Sequence, residues 1–198
     1  MKKKVLILGG SSLLSVNISF FLKKKYKLFL ACNSKKPDIK FANSFFIKFN
    51  QEKLKLLISE IRPEIIIICL ANTNIESCEN NKISTKKLNF DQVKIITKLS
   101  KLYKSRLIFF STDQVYRNSK NPSSENSTLK ALNYYTKTKI LAEQYIKKNL
   151  KNYLILRTNF FGYGPKYRKS FSDLILYYEK KKIVKNYFFD NFFSPIYL

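Results

Sequence analysis

Tyr135 and Lys139 lie four residues apart in a stretch with helical spacing that begins at Asn133, so both side chains share one predicted helix face. A lysine ammonium group beside a phenol favours the phenolate. We therefore expect the pKa of Tyr135 to lie below its ordinary value of about 10. Such a phenol can donate a proton to a carbonyl oxygen near neutral pH. The pair thus predicts general acid chemistry on a carbonyl substrate.

Two other sequence features suit the same chemistry. Ser111 and Thr112 close an apolar strand, where the Thr112 hydroxyl can bond the same carbonyl oxygen. The first strand runs directly into a turn made by Gly9 and Gly10. Taken alone, Thr112 could cap a turn, and the tyrosine–lysine pair could face solvent. Because successive strand ends of a parallel sheet open on one crevice, their joint occurrence favours a nicotinamide-dependent carbonyl reductase.

Composition narrows the possible chemistry. The 198-residue chain has 45% hydrophobic residues, which suits one folded domain with a sizeable core. It has no histidine, which excludes Ser-His-Asp and Cys-His catalysis and most zinc sites, so we expect no metal. Its three cysteines form no C-x-x-C pair, and we expect them to be reduced thiols packed as small apolar residues.

The net charge of +25 suggests nucleic-acid binding as one hypothesis. The excess is nearly all lysine, scattered along the chain, with only five arginines, the residue type that makes bidentate base and phosphate contacts. We interpret the charge as a solvated surface and expect no specific nucleic-acid partner.

No apolar run reaches the roughly 18–20 residues of a membrane span, and the N-terminal apolar run is too short for a signal peptide. We therefore expect a cytoplasmic protein with no membrane partner.

Apolar runs alternate with amphipathic stretches along the whole chain, which predicts an α/β fold with a doubly wound parallel sheet. We expect a dinucleotide-binding domain over 1–160 and only the beginning of a smaller substrate lobe over 161–198. The predicted strands are Val5–Leu8, Lys27–Ala31, Phe45–Phe49, Ile65–Leu70, Arg106–Phe110 and Tyr153–Leu156. The predicted helices are Leu13–Leu22, Glu52–Ile61, Ile83–Tyr103, Leu132–Asn149 and Ser170–Lys181, with a polar loop at Lys120–Thr128.

The first turn and the loop after the second strand bear on the cofactor. A dinucleotide-binding turn normally has glycines at the positions of Gly9, Ser12 and Ser15, and here two of these are serines, which are small. After the second strand, an acidic residue would bind the ribose hydroxyls of NAD. We expect NADP(H) rather than NAD(H), because the loop instead has residues suited to a 2′-phosphate: Asn33, Ser34, Lys35 and Lys36.

Six motifs occur in a consistent order and span nearly the whole chain. They are VLILGG, RPEIIIICLANTNIESCE, FFSTDQVY, NYYTKTKILAEQY, ILRTNFFGYGP and DNFFSPIYL. With them the chain resembles the extended short-chain dehydrogenase/reductases, and within these the dTDP-4-dehydrorhamnose reductase family. The resemblance implies an NAD(P)-binding Rossmann fold and reduction of a 4-keto sugar nucleotide.

The resemblance also implies roles for individual residues. The catalytic residues would be Thr112, Tyr135 and Lys139. The cofactor-binding residues would be Gly9, Gly10, Ser12, Leu14, Ser15, Asn33, Ser34, Lys35, Ala71, Asn72, Thr73, Asn89, Tyr135 and Lys139. The substrate-binding residues would be Thr73, Asp113, Asn159 and Phe160.

Two alternative functions stay open from the sequence. A sugar-nucleotide dehydratase of this type would have an Asp-Glu pair after the threonine, whereas this chain has Asp113 and Gln114, which argues against dehydration but not against epimerisation. The two serines in the first turn also suit a non-catalytic nucleotide-binding regulatory subunit. Family members usually continue beyond the motif at Ser194 and Pro195. The aromatic tail Tyr187–Leu198 is therefore expected to be covered by a further C-terminal segment or by a second subunit, as in a homodimer.

Overall fold

Six apolar runs form one parallel sheet in the computed structural model, which describes residues 1–116, 123–187 and 195–198. Neighbouring strands pair in the order β3-β2-β1-β4-β5-β6, and each pair is parallel. The chain therefore crosses from one half of the sheet to the other between β1 and β4. The strands are β1 Lys3–Leu8, β2 Tyr26–Cys32, β3 Ala42–Phe46, β4 Ile65–Ile68, β5 Arg106–Ser111 and β6 Tyr153–Arg157.

Helices connect these strands and begin at polar capping residues. The Asn50 side chain accepts the N–H of Lys53 at the start of α2, and Arg62 ends that helix in the left-handed conformation before Pro63. The helices are α1 Leu13–Leu22, α2 Gln51–Ile61, α3 Ile75–Asn80, α4 Lys82–Lys86, α5 Gln92–Leu102, α6 Tyr134–Asn149 and α7 Phe171–Lys180. Within the described ranges, no helix combines the length and apolarity needed to cross a bilayer.

Both faces of the sheet are buried, as the near-continuous apolar strands predict. In β1, Leu6 and Leu8 pack with the apolar faces of α2, α5 and α6, whereas Val5 and Ile7 pack on the opposite side with α1. Adjacent residues of one strand thus enter two separate cores. This arrangement confirms the predicted doubly wound α/β fold.

Three elements differ from the sequence-based expectation. The third strand was predicted at Phe45–Phe49 but lies at Ala42–Phe46, because this edge strand is held by backbone pairing with β2 and not by apolar periodicity. The predicted single helix Ile83–Tyr103 is instead α4, a π-helical turn at Lys87–Asp91 and then α5. The short helix α3 was not predicted.

A second, two-stranded parallel sheet joins β7 Asn159–Phe161 to β8 Pro195–Tyr197. It too was absent from the sequence-based expectation, since three-residue strands carry little periodicity. Part of the predicted polar loop Lys120–Thr128 and most of the predicted aromatic tail Tyr187–Leu198 fall outside the described residues.

Candidate active site

A cavity of about 340 Å³ lies at the carboxyl ends of β1, β4 and β5, where the strand order reverses. Open α/β sheets bind ligands at this position. Its lining comes from five regions of the chain: the start of α1, the end of β4, the end of β5, the first turns of α6, and the segment after β6. The lining residues are Ser12, Leu13, Leu14, Cys69, Ala71, Thr73, Phe110, Ser111, Thr112, Gln114, Tyr135, Lys139, Thr158, Asn159, Phe160, Arg168, Lys169 and Ser170.

Thr112, Tyr135 and Lys139 all lie in the wall of this cavity. Thr112 directly follows β5, and the other two lie on the first two turns of α6. Helix α6 begins with a reciprocal capping box between Asn133 and Thr136, which fixes its entry into the fold. All three side chains are buried to more than nine-tenths, so their separation is set by packing and not by solvent-exposed rotamers.

The predicted lowering of the Tyr135 pKa is wrong for this structure. Burial raises the pKa of Tyr135 to about 12, and a hydrogen bond with Thr112 offsets this only in part. The Lys139 Nζ does not act on the phenol, because it donates to the carbonyl oxygen of Phe110 at 2.6 Å and lies 4.4 Å from the ring centroid of Phe109. The phenol therefore retains its proton at neutral pH.

Lys139 is only 4% exposed, and burial lowers its pKa to about 8. The neighbouring Cys69 and Glu143 oppose that shift. Lys139 is still mostly charged near neutral pH, and that charge lies next to the cavity. Among the residues that the structure describes, the lining includes Arg168 and Lys169 but no Asp or Glu, so this part of the wall is electropositive.

The glycines of the first turn are required by packing inside the protein. Gly9 has φ +87°, and a Cβ there would lie 2.9 Å from the backbone carbon of Cys69. A Cβ at Gly10 would lie 2.8 Å from the Cβ of Leu30. Neither glycine lines the cavity, so both act by letting the turn approach the neighbouring strands.

Replacing Gly9 with alanine is expected to destabilise the fold by at least about 2 kcal/mol, because a left-handed conformation and a backbone clash are both imposed on the new side chain. Urea denaturation followed by circular dichroism measures this change. The exposed Ser34→Ala, in the loop after β2, is the matched control and should leave the midpoint unchanged. Equal stability of Gly9→Ala and wild type would show that the turn tolerates a Cβ.

Serine replaces glycine at two turn positions without disturbing the turn. The Ser15 hydroxyl is fully buried, donates to the Gly9 carbonyl oxygen at 2.7 Å and lies 2.7 Å from the Ser12 hydroxyl. The Ser12 side chain caps α1 by accepting the N–H of Ser15 at 3.1 Å. The backbone of Leu13 and Leu14 still presents the positive end of α1 to the cavity. These residues fit a dinucleotide phosphate at this place.

The predicted cofactor residues after β2 lie on the surface beside the first turn. Asn33, Ser34 and Lys35 are exposed, and the Lys35 Nζ lies 5.7 Å from the ring centroid of Tyr167. The Tyr167 hydroxyl in turn donates to the carbonyl oxygen of Ser11 at 3.2 Å. The segment after β6 therefore packs along the first turn and close to these basic residues.

Asn72 and Asn89 lie behind the cavity wall, outside its lining. Asn89 is buried in the π-helical turn, where its side chain accepts the Asn72 N–H at 2.8 Å and donates to the Asn72 carbonyl oxygen at 2.9 Å. It also donates to the hydroxyl of Thr138 at 3.3 Å. Asn89 thus ties the loop after β4 to α6, and the same turn geometry is typical of functional sites.

Asp113 accepts a hydrogen bond from the Thr112 hydroxyl at 3.2 Å and starts a 3₁₀ turn, Asp113–Val115. It does not line the cavity, whereas the neighbouring Gln114 does.

The sequence did not predict Gln114, Arg168 and Lys169 as lining residues. The basic run after Gly164 and Pro165 is a signal that could have pointed to the last two. Among the described residues, no group of three acidic, cysteine or histidine side chains could hold a metal ion.

The strand order defines a doubly wound α/β fold, and the cavity lies at the reversal point, where proteins of this fold bind dinucleotides. The family model described as the RmlD substrate binding domain matches residues 2–196, so the chain belongs to that family.

Two curated proteins are similar to this chain. A dTDP-4-dehydrorhamnose reductase from Shigella flexneri is 27% identical over 142 residues, which cover 70% of this chain and 48% of the relative. The methionine adenosyltransferase 2 subunit beta of Bos taurus is 24% identical over 155 residues, covering 78% and 46%. The chain spans about half the length of these curated relatives.

A solved structure shows the same fold. The dTDP-4-dehydrorhamnose reductase of Bacillus anthracis str. Ames, determined in complex with NADP, superposes with a TM-score of 0.76 at 24% identity. The match covers 91% of this chain and 61% of that structure.

Proposed function

We propose that this chain is an NADP(H)-dependent reductase of a 4-keto sugar nucleotide, of the dTDP-4-dehydrorhamnose reductase type. The observation that carries the proposal is the placement of Thr112, Tyr135 and Lys139 in one electropositive cavity at the reversal of the strand order. Membership of the RmlD substrate binding domain family and relatives named dTDP-4-dehydrorhamnose reductase support the substrate class.

In the proposed mechanism, a nicotinamide cofactor held in this cavity would supply the hydride that the carbonyl carbon of the substrate accepts. Tyr135 donates its proton to the carbonyl oxygen as negative charge develops there, and its raised pKa ensures that this proton is present near neutral pH. The Thr112 hydroxyl, which donates to Asp113 in this structure, would turn to donate a second hydrogen bond to that oxygen. The Lys139 ammonium keeps one N–H on the Phe110 carbonyl oxygen and has two further N–H donors, and its positive charge stabilises the phenolate that Tyr135 leaves behind.

Residues in two parts of the wall would hold the cofactor. Ser12 and Leu14 would meet the pyrophosphate at the start of α1, while Ala71, Thr73 and Lys139 would contact the nicotinamide and its ribose. The remaining proposed cofactor residues would shape the site from behind or at its rim: Gly9, Gly10, Ser15, Asn33, Ser34, Lys35, Asn72 and Asn89.

The substrate would lie against Thr73, Asn159 and Phe160, with Asp113 accepting from the Thr112 hydroxyl until substrate binds. Arg168 would add positive charge for a diphosphate. This assignment suits a domain boundary near residue 160, since all of the six-stranded sheet lies before it and β8 and α7 lie after it. We therefore propose 1–160 as the dinucleotide-binding domain and 161–198 as part of a substrate lobe.

Two alternative functions have less support. Gln114 lines the cavity where a dehydratase would need a titrating acid or base, and glutamine cannot take that role. A non-catalytic nucleotide-binding subunit does not account for a buried Tyr135 and Lys139 in a cavity wall.

We also propose that the protein is cytoplasmic and forms a homodimer. The three free thiols suit a reducing compartment, and sedimentation velocity tests the oligomeric state.

The direct test combines binding with turnover. NADPH is titrated by fluorescence, and its oxidation is then followed with dTDP-4-dehydrorhamnose as the probe. Saturable binding and turnover are expected. Binding without turnover of this probe or of other 4-keto sugar nucleotides would overturn the reductase assignment and favour the non-catalytic subunit.

Reversing the charge at Lys35 is expected to weaken NADPH binding while leaving NADH binding nearly unchanged. A hydrogen bond to a charged group contributes about 1.5–3 kcal/mol, so Lys35→Glu should raise the Kd for NADPH about 10-fold or more. The exposed Lys40→Glu changes the net charge equally and serves as the control. If Lys35→Glu and Lys40→Glu affect both cofactors alike, the loop after β2 does not select NADP(H).

A further inference from the structure

A buried ion pair lies beneath the cavity wall, between α6 and the end of β6. The Arg157 Nη2 donates to Glu143 Oε2 at 2.7 Å, and its Nε lies 3.1 Å from both carboxylate oxygens. The Glu143 side chain is 1% exposed and that of Arg157 is 9% exposed. Ser111 adds a third contact by donating its hydroxyl to Glu143 Oε1 at 2.5 Å. On the outer side, the half-exposed Lys147 Nζ lies 4.0 Å from Glu143 Oε2.

Such a pair is a costly way to build stability. Both charges must lose their water, and a well-packed apolar pair of similar volume is often as stable or more stable. What the ion pair adds is a fixed geometry, because a bidentate guanidinium–carboxylate contact tolerates little displacement.

The residues joined at this ion pair lie next to two of the proposed catalytic residues. Ser111 immediately precedes Thr112 at the end of β5. Glu143 lies one helical turn beyond Lys139 on α6, and both are buried. One carboxylate therefore connects the strand end that carries the threonine to the helix that carries the lysine.

Arg157 extends the same connection to the turn that follows Thr112. Its Nη1 donates to the hydroxyl of Tyr116 at 3.0 Å and to the carbonyl oxygen of Glu125 at 2.9 Å. Its guanidinium carbon lies 5.2 Å from the ring centroid of Tyr116. The arginine thus holds the chain on the far side of the 3₁₀ turn, Asp113–Val115.

We propose that Ser111, Glu143 and Arg157 form a positioning unit that holds the Thr112 hydroxyl and the Lys139 ammonium at their places in the cavity wall. The proposal rests on the proposed function for its catalytic consequence. The Ser111 hydroxyl is directed to Glu143, and neither Glu143 nor Arg157 is among the residues that line the cavity. Glu143 and Arg157 therefore act through their neighbours, and Ser111, although it lines the cavity, directs its hydroxyl to Glu143 and not to substrate.

Ser111→Ala is the principal test, because it removes one hydroxyl and leaves the ion pair in place. Ser105→Ala is the matched control: Ser105 is a buried serine next to the opposite end of β5, and its hydroxyl donates to the Pro63 carbonyl oxygen at 2.6 Å. Both variants lose one buried hydrogen bond next to the same strand. Glu143→Gln, which is isosteric, serves as a second probe if it folds.

The first readout needs no turnover. Hydrogen–deuterium exchange of the full chain without ligand reports on the Gln114 N–H, which donates to the Thr112 hydroxyl at 3.2 Å. Ser111→Ala should speed exchange locally over 112–116, whereas Ser105→Ala should leave that segment unchanged. If Ser111→Ala leaves exchange there unchanged, or speeds it equally throughout the sheet, the positioning unit is refuted, whether or not the chain is a reductase.

The second readout separates positioning from binding. A misplacement of about 1 Å can lower turnover about 100-fold, so kcat of Ser111→Ala should fall by about 10-fold to 100-fold while the Kd for NADPH is retained. Ser105→Ala should keep both values. Wild-type kcat in Ser111→Ala would overturn the inference, whereas a wild-type chain that neither binds NADPH nor turns over refutes the proposed function alone.

Discussion

Tyr135→Phe is expected to lower turnover by about 100-fold to 10,000-fold, the contribution that a positioned general acid normally makes. The phenol is the proposed donor of this proton near neutral pH. Lys139 contacts the Phe110 carbonyl oxygen, and Thr112 has no acidity in this range. The ring itself is retained in phenylalanine, so packing and NADPH affinity should change little.

Tyr134→Phe is the control for this experiment. Tyr134 precedes Tyr135 on the same helix but is not among the residues that line the cavity. Rates with dTDP-4-dehydrorhamnose and fluorescence titration with NADPH should be measured for both variants. Turnover of Tyr135→Phe at the wild-type rate would remove Tyr135 from the mechanism. A parallel loss of NADPH affinity would assign the phenol to cofactor binding instead.

Lys139→Met is expected to abolish turnover and at the same time to stabilise the protein near pH 7. The lysine is buried, and the lowering of its pKa to about 8 means that the folded state disfavours its charge by about 3 kcal/mol. Methionine fills a similar volume without charge. The loss of the hydrogen bond to Phe110 offsets part of the gain, so a net stabilisation of about 2 kcal/mol is expected.

The free energy of unfolding of the wild-type protein should depend on pH because the pKa of Lys139 differs between the folded and unfolded states. Between pH 8 and 10.5 the unfolded chain keeps a proton on Lys139 that the folded protein has released, so wild-type stability rises with pH through this window. Burial raises the pKa of Cys69 and of Tyr135 to about 12, and these groups lower stability above their ordinary values of 9.0 and 10.0. The effect of Lys139 is therefore clearest between pH 8 and 9.

Urea denaturation of wild type and Lys139→Met near pH 7 and near pH 9 measures both effects. The stability advantage of the variant should shrink as pH rises through about 8, because the wild-type lysine loses its charge there. Lys137→Met changes an exposed lysine on the same helix and should show neither effect. A variant less stable than wild type at both pH values would mean that Lys139 supports the fold.

The fold was largely predictable because its signals are local. Near-continuous apolar strands such as Val5–Leu8 indicated a sheet buried on both faces, and they alternate with amphipathic helices. The edge strand β3 was misplaced, since backbone pairing with β2 sets its position. The π-helical turn Lys87–Asp91 was missed because the same periodicity continues through it.

The sequence by itself predicted three features of the site: the shared helix face of Tyr135 and Lys139, the position of Thr112 after a strand, and the turn at Gly9. It could do so because the helix period and the strand direction determine which side such residues face. Only the tertiary structure determined the protonation states of these side chains and the contacts that hold them in place. Burial raised the pKa of Tyr135, where proximity to a lysine had predicted the opposite. Packing also joined Glu143 to residues far along the chain. Desolvation and long-range contacts depend on the whole fold, so they cannot be predicted from the local spacing of residues.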